Sequence, residues 1–144
     1  MNKIIAFGAS SSKNSINKKL ASFVANKIAD QEAVILDLND FEMPIYSEDR
    51  HAEEGIPQKA HAFKKIIKES KGLVISLAEH NGSYTAAFKN IYDWISVIEK
   101  TVWSNKPILL MLNNNFLAKC KHDDKGQLPI NFIEFKSKII NLIT

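Results

Sequence analysis

Short apolar runs alternate with apolar residues at helical spacing through the first 112 residues. Ile4 to Phe7 predicts a buried strand ending at Gly8, and Leu20, Phe23, Val24 and Ile28 predict the apolar face of the helix that follows. Ala33 to Leu38 (AVILDL) predicts a second strand, followed by an irregular stretch from Asn39 to Gly55. Pro57 suits the first turn of the next helix, where its missing N–H costs nothing, and Ala60, Phe63, Ile66 and Ile67 form that helix's apolar side. Gly72 closes it, Leu73 to Leu77 (LVISL) is a third strand, and the loop Ala78 to Ser83 enters a helix lined by Phe88, Ile91, Ile95 and Ile98. Pro107 to Leu112 (PILLML) is a fourth strand. Strands apolar on both faces and separated by helices predict an α/β fold with a doubly wound, mostly parallel sheet.

After Leu112 the pattern weakens. Asn113 to Asn115, Phe116 to Cys120 and the turn-like His122 to Gly126 lead to a last helical pattern carrying Phe132, Phe135, Ile139, Ile140 and Ile143. A regular doubly wound domain has a helix and a fifth strand in that interval.

Composition narrows the class. A chain of 144 residues, 45% hydrophobic and 24% charged, is long enough to bury one sizeable core, so residues 1–144 are expected to form a single domain. The net charge of +3, spread along the chain, favours the approach of an anionic ligand but is too weak to indicate nucleic acid. The single cysteine, Cys120, excludes an intramolecular disulfide framework and a multi-cysteine zinc site, which fits a reducing cytoplasm. The N-terminal apolar run is too short for an export signal, and no stretch approaches the ~20 apolar residues of a membrane span. A cytoplasmic protein with no nucleic-acid or membrane partner is expected.

In a doubly wound sheet ligands sit at the carboxyl ends of the strands. The loop after the first strand carries hydroxyls at Ser10, Ser12 and Ser15 ahead of a helix N-terminus, whose amides and partial positive charge bind phosphate. Lys13 and Lys18 are candidate countercharges. Simple capping by Ser15 or Asn14 accounts for one polar residue, not for the whole run. Neither GxGxxG nor Gly-Lys-Ser/Thr is present, so a dinucleotide fingerprint and a P-loop are both excluded, leaving a mononucleotide held by hydroxyls and amides.

The second loop lies within AEHNGSYTAAFKNIYDW, residues 78–94. Asn81-Gly82 is a turn dipeptide whose glycine permits close backbone approach to a ligand. Amides there suit the polar edge of a planar heterocycle, with His80 or Tyr84 packed beside it. Glu79 and His80 together suggest acid–base chemistry, but no serine-elbow motif or zinc-ligand spacing accompanies them. His51, His61 and His122 are read as surface residues.

These motifs resemble the NADPH-dependent FMN reductase family. GASSSKNSINKKLA is similar to that family's phosphate loop, roughly Gly-Ser-x-Arg-x-x-Ser-x-Asn-x-x-Leu, with Ser10, Ser15, Asn17 and Leu20 in matching places. Residues 43–46 (MPIY) resemble its Leu-Pro-Leu-Tyr segment, and residues 78–94 its Pro-Glu-Tyr-Asn-Gly-Ser…Leu-Lys-Asn…Asp-Trp signature. In the latter, Glu79, Asn81, Gly82, Ser83, Lys89, Asn90, Asp93 and Trp94 stand in place.

The resemblance implies a flavodoxin-like fold and an FMN-dependent NAD(P)H oxidoreductase. Hydride would pass from NAD(P)H to bound FMN and on to a small acceptor, such as a flavin, quinone, azo compound or metal oxyanion. It implies no catalytic side chain and no metal. Ser10, Ser15 and Asn17, with Ile16 through its backbone, would hold the FMN phosphate, while Asn81, Gly82 and Ser83 would contact the flavin ring beside Glu79 and His80. Homodimers or homotetramers are common in the family, with Met43 to Tyr46, read as exposed, as a contact.

Three departures stand out. Ser12 replaces the family's arginine and removes one charge-assisted phosphate contact, which Lys13 can replace only as a point charge. Ala78 replaces a proline. After the fourth strand the family continues with a Ser/Thr loop, a helix and a fifth strand, whereas this chain enters Asn113 to Asn115, so four full strands with a reduced or missing fifth are expected. The fourth strand then becomes an edge that needs cover, for which Phe116 to Lys121 is the candidate. Lys89 and Asp93 fit a helix-surface ion pair as well as a functional role. Two other readings remain: an FMN-binding electron carrier without NAD(P)H turnover, and a degenerate, non-catalytic member of the family.

Overall fold

A computed structural model describes residues 3–29 and 32–112 of the chain. In chain order these form β1 (Ile4–Ala9), α1 (Ile16–Ile28), β2 (Val34–Leu36), a 3-10 turn (Leu38–Phe41), α2 (Glu48–Glu54) and α3 (Gln58–Glu69). They are followed by β3 (Gly72–Leu77), the short strands β4 (Glu79–His80) and β5 (Ser83–Tyr84), α4 (Ala86–Ile98) and β6 (Ile108–Leu112). The main sheet has the order β2-β1-β3-β6 and is parallel throughout, with Phe7 level with Leu36 on one side and Ile75 on the other. From β1 the chain first moves outward to β2, then crosses back to β3 on β1's other side. The winding therefore reverses between β1 and β3, the flavodoxin-like arrangement.

The sheet's two faces carry different cores. Phe7, Ile75, Phe63, Ile67, Trp94 and Ile95 pack on the α3/α4 side, all fully or almost fully buried. Phe63 meets Phe7 and Phe41 edge to face, with ring centroids 5.7 and 5.0 Å apart. The α1 side is built from Ala6, Ala21, Ala25, Ala33 and Val74.

That second core corrects the expected face of α1. Its buried residues are Ala21 and Ala25, whereas Leu20, Phe23 and Ile28 are exposed and Val24 is half-buried. Small side chains bring the helix axis close to the strands, and the long ones point elsewhere. β2 ends at Leu36, short of the expected Leu38, because Asp37 initiates the 3-10 turn there; that turn runs into the stretch from Asn39 to Gly55, read as irregular, which also holds α2, capped by Ser47. The α3 helix ends at Ser70, whose hydroxyl donates to the Ile67 carbonyl at 2.7 Å, so Gly72 opens β3 rather than closing the helix.

Residues 43–46 are not simply exposed. Pro44 and Ile45 face solvent, but Met43 is buried and Tyr46 half-buried. Asn90 on α4 clamps the segment's backbone: its Oδ1 accepts from the Tyr46 N–H at 2.8 Å and its Nδ2 donates to the Met43 and Pro44 carbonyls at 3.1 and 3.2 Å. The buried Trp94 donates from Nε1 to the Pro44 carbonyl at 2.7 Å. Two motifs far apart in sequence thus form one packing unit. The expected last helix and the cover from Phe116 to Lys121 lie outside the described residues.

At the opposite end of α4, Lys64 is buried and fixes the following loop. Its Nζ donates to the Thr101 and Val102 carbonyls at 2.6 and 2.7 Å and lies 3.2 Å from Glu99. Hydrogen bonds from Thr101, Lys64 and Lys68 hold the Glu99 carboxyl down at about 2.

Candidate functional site

The first loop starts from a contact that glycine alone permits. A Cβ on Gly8 would lie 2.2 Å from the backbone nitrogen of Lys18 and 2.7 Å from the Asn17 carbonyl carbon. The first turn of α1 therefore rests directly on β1. Between them the chain folds on its own polar groups. The Ser10 N–H donates to the Gly8 carbonyl (2.8 Å), the Ser12 N–H donates to Ser10 Oγ (3.1 Å), and the Ser15 N–H donates to the Ser12 carbonyl (3.2 Å). Ser15 then caps α1 by accepting from the Lys18 N–H at 3.2 Å.

Ser10 and Ser15 are buried, while Ser11, Ser12, Lys13 and Asn14 are exposed. Among the described residues no hydrogen bond uses the backbone N–H of Ile16 or Asn17, so both remain donors at the helix end. The Ile16 side chain is turned to solvent. Asn17 is oriented from beneath: the buried Ser76 of β3 donates from Oγ to Asn17 Oδ1 at 2.7 Å. That bond occupies the acceptor end of the amide, and its N–H groups remain as donors.

Lys18 does not serve as the loop's countercharge. Its Nζ is paired with Asp37 Oδ2 at 2.5 Å, beyond the end of β2. The Lys18 hydrogen bond, helped by the Asn39 N–H, holds the Asp37 carboxyl below its usual range. Lys13 is the remaining cation of the loop.

The second loop is a two-residue hairpin. Glu79 pairs with Tyr84 and His80 with Ser83, antiparallel, and Asn81 and Gly82 turn the chain with φ of 54° and 82°. Positive φ at both central residues is the mark of a type I′ turn, which is why Asn-Gly occurs here. Adjacent strand residues point to opposite faces: Glu79 is half-buried and His80 exposed, so the two do not form an acid–base pair. Asn81, Ser83 and Tyr84 are exposed and Gly82 is half-exposed.

Thr85 joins the two loops and was missed by sequence reading. Buried at the N-cap of α4, it accepts from the Phe88 N–H at 3.2 Å and donates to the Ala9 carbonyl at 2.9 Å, tying the hairpin's exit to the end of β1. A threonine before an apolar helical run is the signal that would have found it. Both loops consequently open at the carboxyl ends of β1 and β3, the strands between which the winding reverses. Lys89 and Asp93 form the i, i+4 surface pair, and hydrogen bonding to Asp93 raises the lysine's pKa. Among the described residues no cluster of His, Cys, Asp or Glu could hold a metal ion.

The sequence model of the family described as NADPH-dependent FMN reductase matches residues 2–118. The chain belongs to this family. It is 34% identical over 107 residues to a 2-hydroxy-1,4-benzoquinone reductase from Burkholderia sp, covering 73% of this chain and 56% of the relative. It is 30% identical over 84 residues to a quinone reductase of Escherichia coli, covering 56% of this chain and 45% of that protein. The chain thus spans about half the length of these curated relatives. Among solved structures it is similar to FerB, a flavoenzyme NAD(P)H:(acceptor) oxidoreductase from Paracoccus denitrificans. The TM-score is 0.61 and the identity 25%, with coverage of 78% of this chain and 60% of that one.

The first loop fits the phosphate of the family's flavin on its own chemistry. It offers two helix-end amides, an oriented carboxamide and several hydroxyls, with no carboxylate among residues 8–18.

Proposed function

We propose that this chain is an FMN-dependent NAD(P)H oxidoreductase that delivers electrons to a small acceptor, with a quinone as the leading class. The observation that carries the reading is the helix end at Ile16 and Asn17, with its backbone donors open, seated on Gly8 beside the point where the winding reverses. Family membership and the quinone reductases among its relatives support the activity and the acceptor class.

The redox chemistry is supplied by FMN when it is bound, and the chain contributes placement and electrostatics. Ser10, Ser15, the Ile16 and Asn17 amides and the Asn17 side chain hold the phosphate, with Ser12 and Lys13 at the rim. Asn81, Gly82 and Ser83 present backbone and side-chain polar groups to the ring edge, flanked by Glu79 and His80. Donors from amides keep their protonation across the neutral range. Protein assembly as a homodimer or homotetramer is part of the same reading.

Titration of FMN and of riboflavin against the protein and its Asn17→Ala variant tests it. Hydrogen bonds to a charged group contribute about 1.5–3 kcal/mol. FMN affinity should therefore fall roughly tenfold or more, while riboflavin, which has no phosphate, changes little. Equal losses for both ligands would remove phosphate from the assignment. Anaerobic NADPH should bleach the visible absorption band of the bound oxidised flavin. FMN binding without bleaching would make the protein an electron carrier.

A further inference from the structure

The outer side of α1 is unlike the rest of the described surface. Ile16, Leu20 and Phe23 are 78%, 44% and 63% exposed and recur at i, i+4 and i+7, so they share one stripe along the helix. Scattered exposed apolar residues are ordinary on a protein surface; a continuous stripe marks an interaction site. The charges carried by this helix and its entry loop have one sign. The first 29 residues contain five lysines and no aspartate or glutamate, and Lys13, Lys19 and Lys27 belong to α1 or its entry loop. Lys27 Nζ stands 5.6 Å from the Phe23 ring centroid, within reach of a cation–π contact. An open cavity of about 470 Å³ beside β2 is lined by Lys13, Lys19, Ser22 and Phe23 and adjoins the first loop at Ser15. Lys18, at the same groove, is already neutralised by Asp37.

Charge decides which occupant suits this face. Pairing α1 with α1 of a second copy would press lysines against lysines, with no carboxylate on either helix to meet them. An anionic lipid surface satisfies both halves of the pattern: the apolar side chains enter the boundary between headgroups and acyl chains, and the lysines meet lipid phosphates. We propose that the outer face of α1 docks this protein on anionic bilayers. The association is peripheral and reversible, since no helix among the described residues is long and apolar enough to cross a membrane. The proposal goes beyond the redox reading and does not depend on it.

Co-sedimentation with phosphatidylglycerol/phosphatidylcholine vesicles and with pure phosphatidylcholine vesicles, in ~0.1 M and ~1 M salt, tests the proposal, because screening weakens such attraction as the Debye length shortens. The protein should bind the anionic vesicles at low salt, release at high salt, and leave phosphatidylcholine vesicles in the supernatant. Each lysine near such a surface contributes about 1 kcal/mol. Lys13→Ala with Lys19→Ala should therefore weaken binding roughly 30-fold, and Phe23→Glu should abolish it at unchanged circular dichroism. Phe23→Gln gives the same reading should the charge disturb folding. Absence of binding to anionic vesicles, equal binding to both vesicle types, or binding indifferent to Phe23 would overturn the proposal. So would a lipid-free dimer in light scattering that Phe23→Glu dissociates, which would give this face to a second copy.

Discussion

The two faces of the sheet solve different problems. On the α3/α4 side, Phe7, Phe63 and Trp94 are fully buried, and aromatic side chains of this kind bury about 150–250 Å² each. On the α1 side, Ala6, Ala21 and Ala25 occupy the equivalent layer. The first face supplies most of the hydrophobic stabilisation; the second surrenders area to bring a helix end within contact distance of β1. Close approach is what the site requires, because the Ile16 and Asn17 amides lie where they do only while α1 rests on Gly8.

The largest effect is expected on the thick face. Phe63→Ala should cost about 3–5 kcal/mol of stability in urea unfolding, while the molecules that remain folded bind FMN normally. A comparable loss of affinity would mean that the two faces are not separable. Gly8→Ala should cost less, about 1–3 kcal/mol for a methyl group forced against backbone, yet weaken FMN roughly tenfold or more, since a 1.4 kcal/mol change in binding is tenfold. Fluorescence titration set beside urea unfolding separates these two patterns.

Ser76→Ala probes orientation alone. Removing the bond to Asn17 should lower stability by about 0.5–1.5 kcal/mol, with a loss of FMN affinity of a few-fold that leaves riboflavin binding unchanged. An unchanged FMN affinity would show that Asn17 needs no support from β3.

The smallest effects are in acid, where each face has its own carboxylate. Asp37 joins α1 to the end of β2, and Glu99 joins α4 to α3 through Lys64 and Lys68. Both have depressed native pKa values, so their stabilisation is complete above the unfolded values of about 3.9 and 4.3 and is lost as pH falls through the native ones. For Glu99 that window runs from ~4.3 down to about 2. Asp37→Asn and Glu99→Gln should each lower stability at neutral pH and flatten its fall below pH ~4. Unchanged pH dependence in the double variant would place the acid sensitivity elsewhere.

The strand pattern, the mostly parallel sheet and the positions of both loops were legible from Ile4 to Leu112, because buried strands leave continuous apolar runs and Asn-Gly specifies its turn chemically. The hydroxyl-rich loop was legible too, because local polar groups announce a helix start. The orientation of α1 was not. Leu20, Phe23 and Ile28 have the spacing of a buried face, and only the closeness demanded by Gly8 gives that place to alanines. Nor could spacing show that Asn90 and Trp94 hold residues 43–46, that Thr85 ties α4 to β1, or that Asp37 takes Lys18 from the loop. Each of these contacts joins positions far apart in the chain, and their geometry exists only after the sheet has brought those positions together. The amino-acid sequence by itself determined which elements form and which groups are available for binding; packing between elements decided which of those groups remain free to bind.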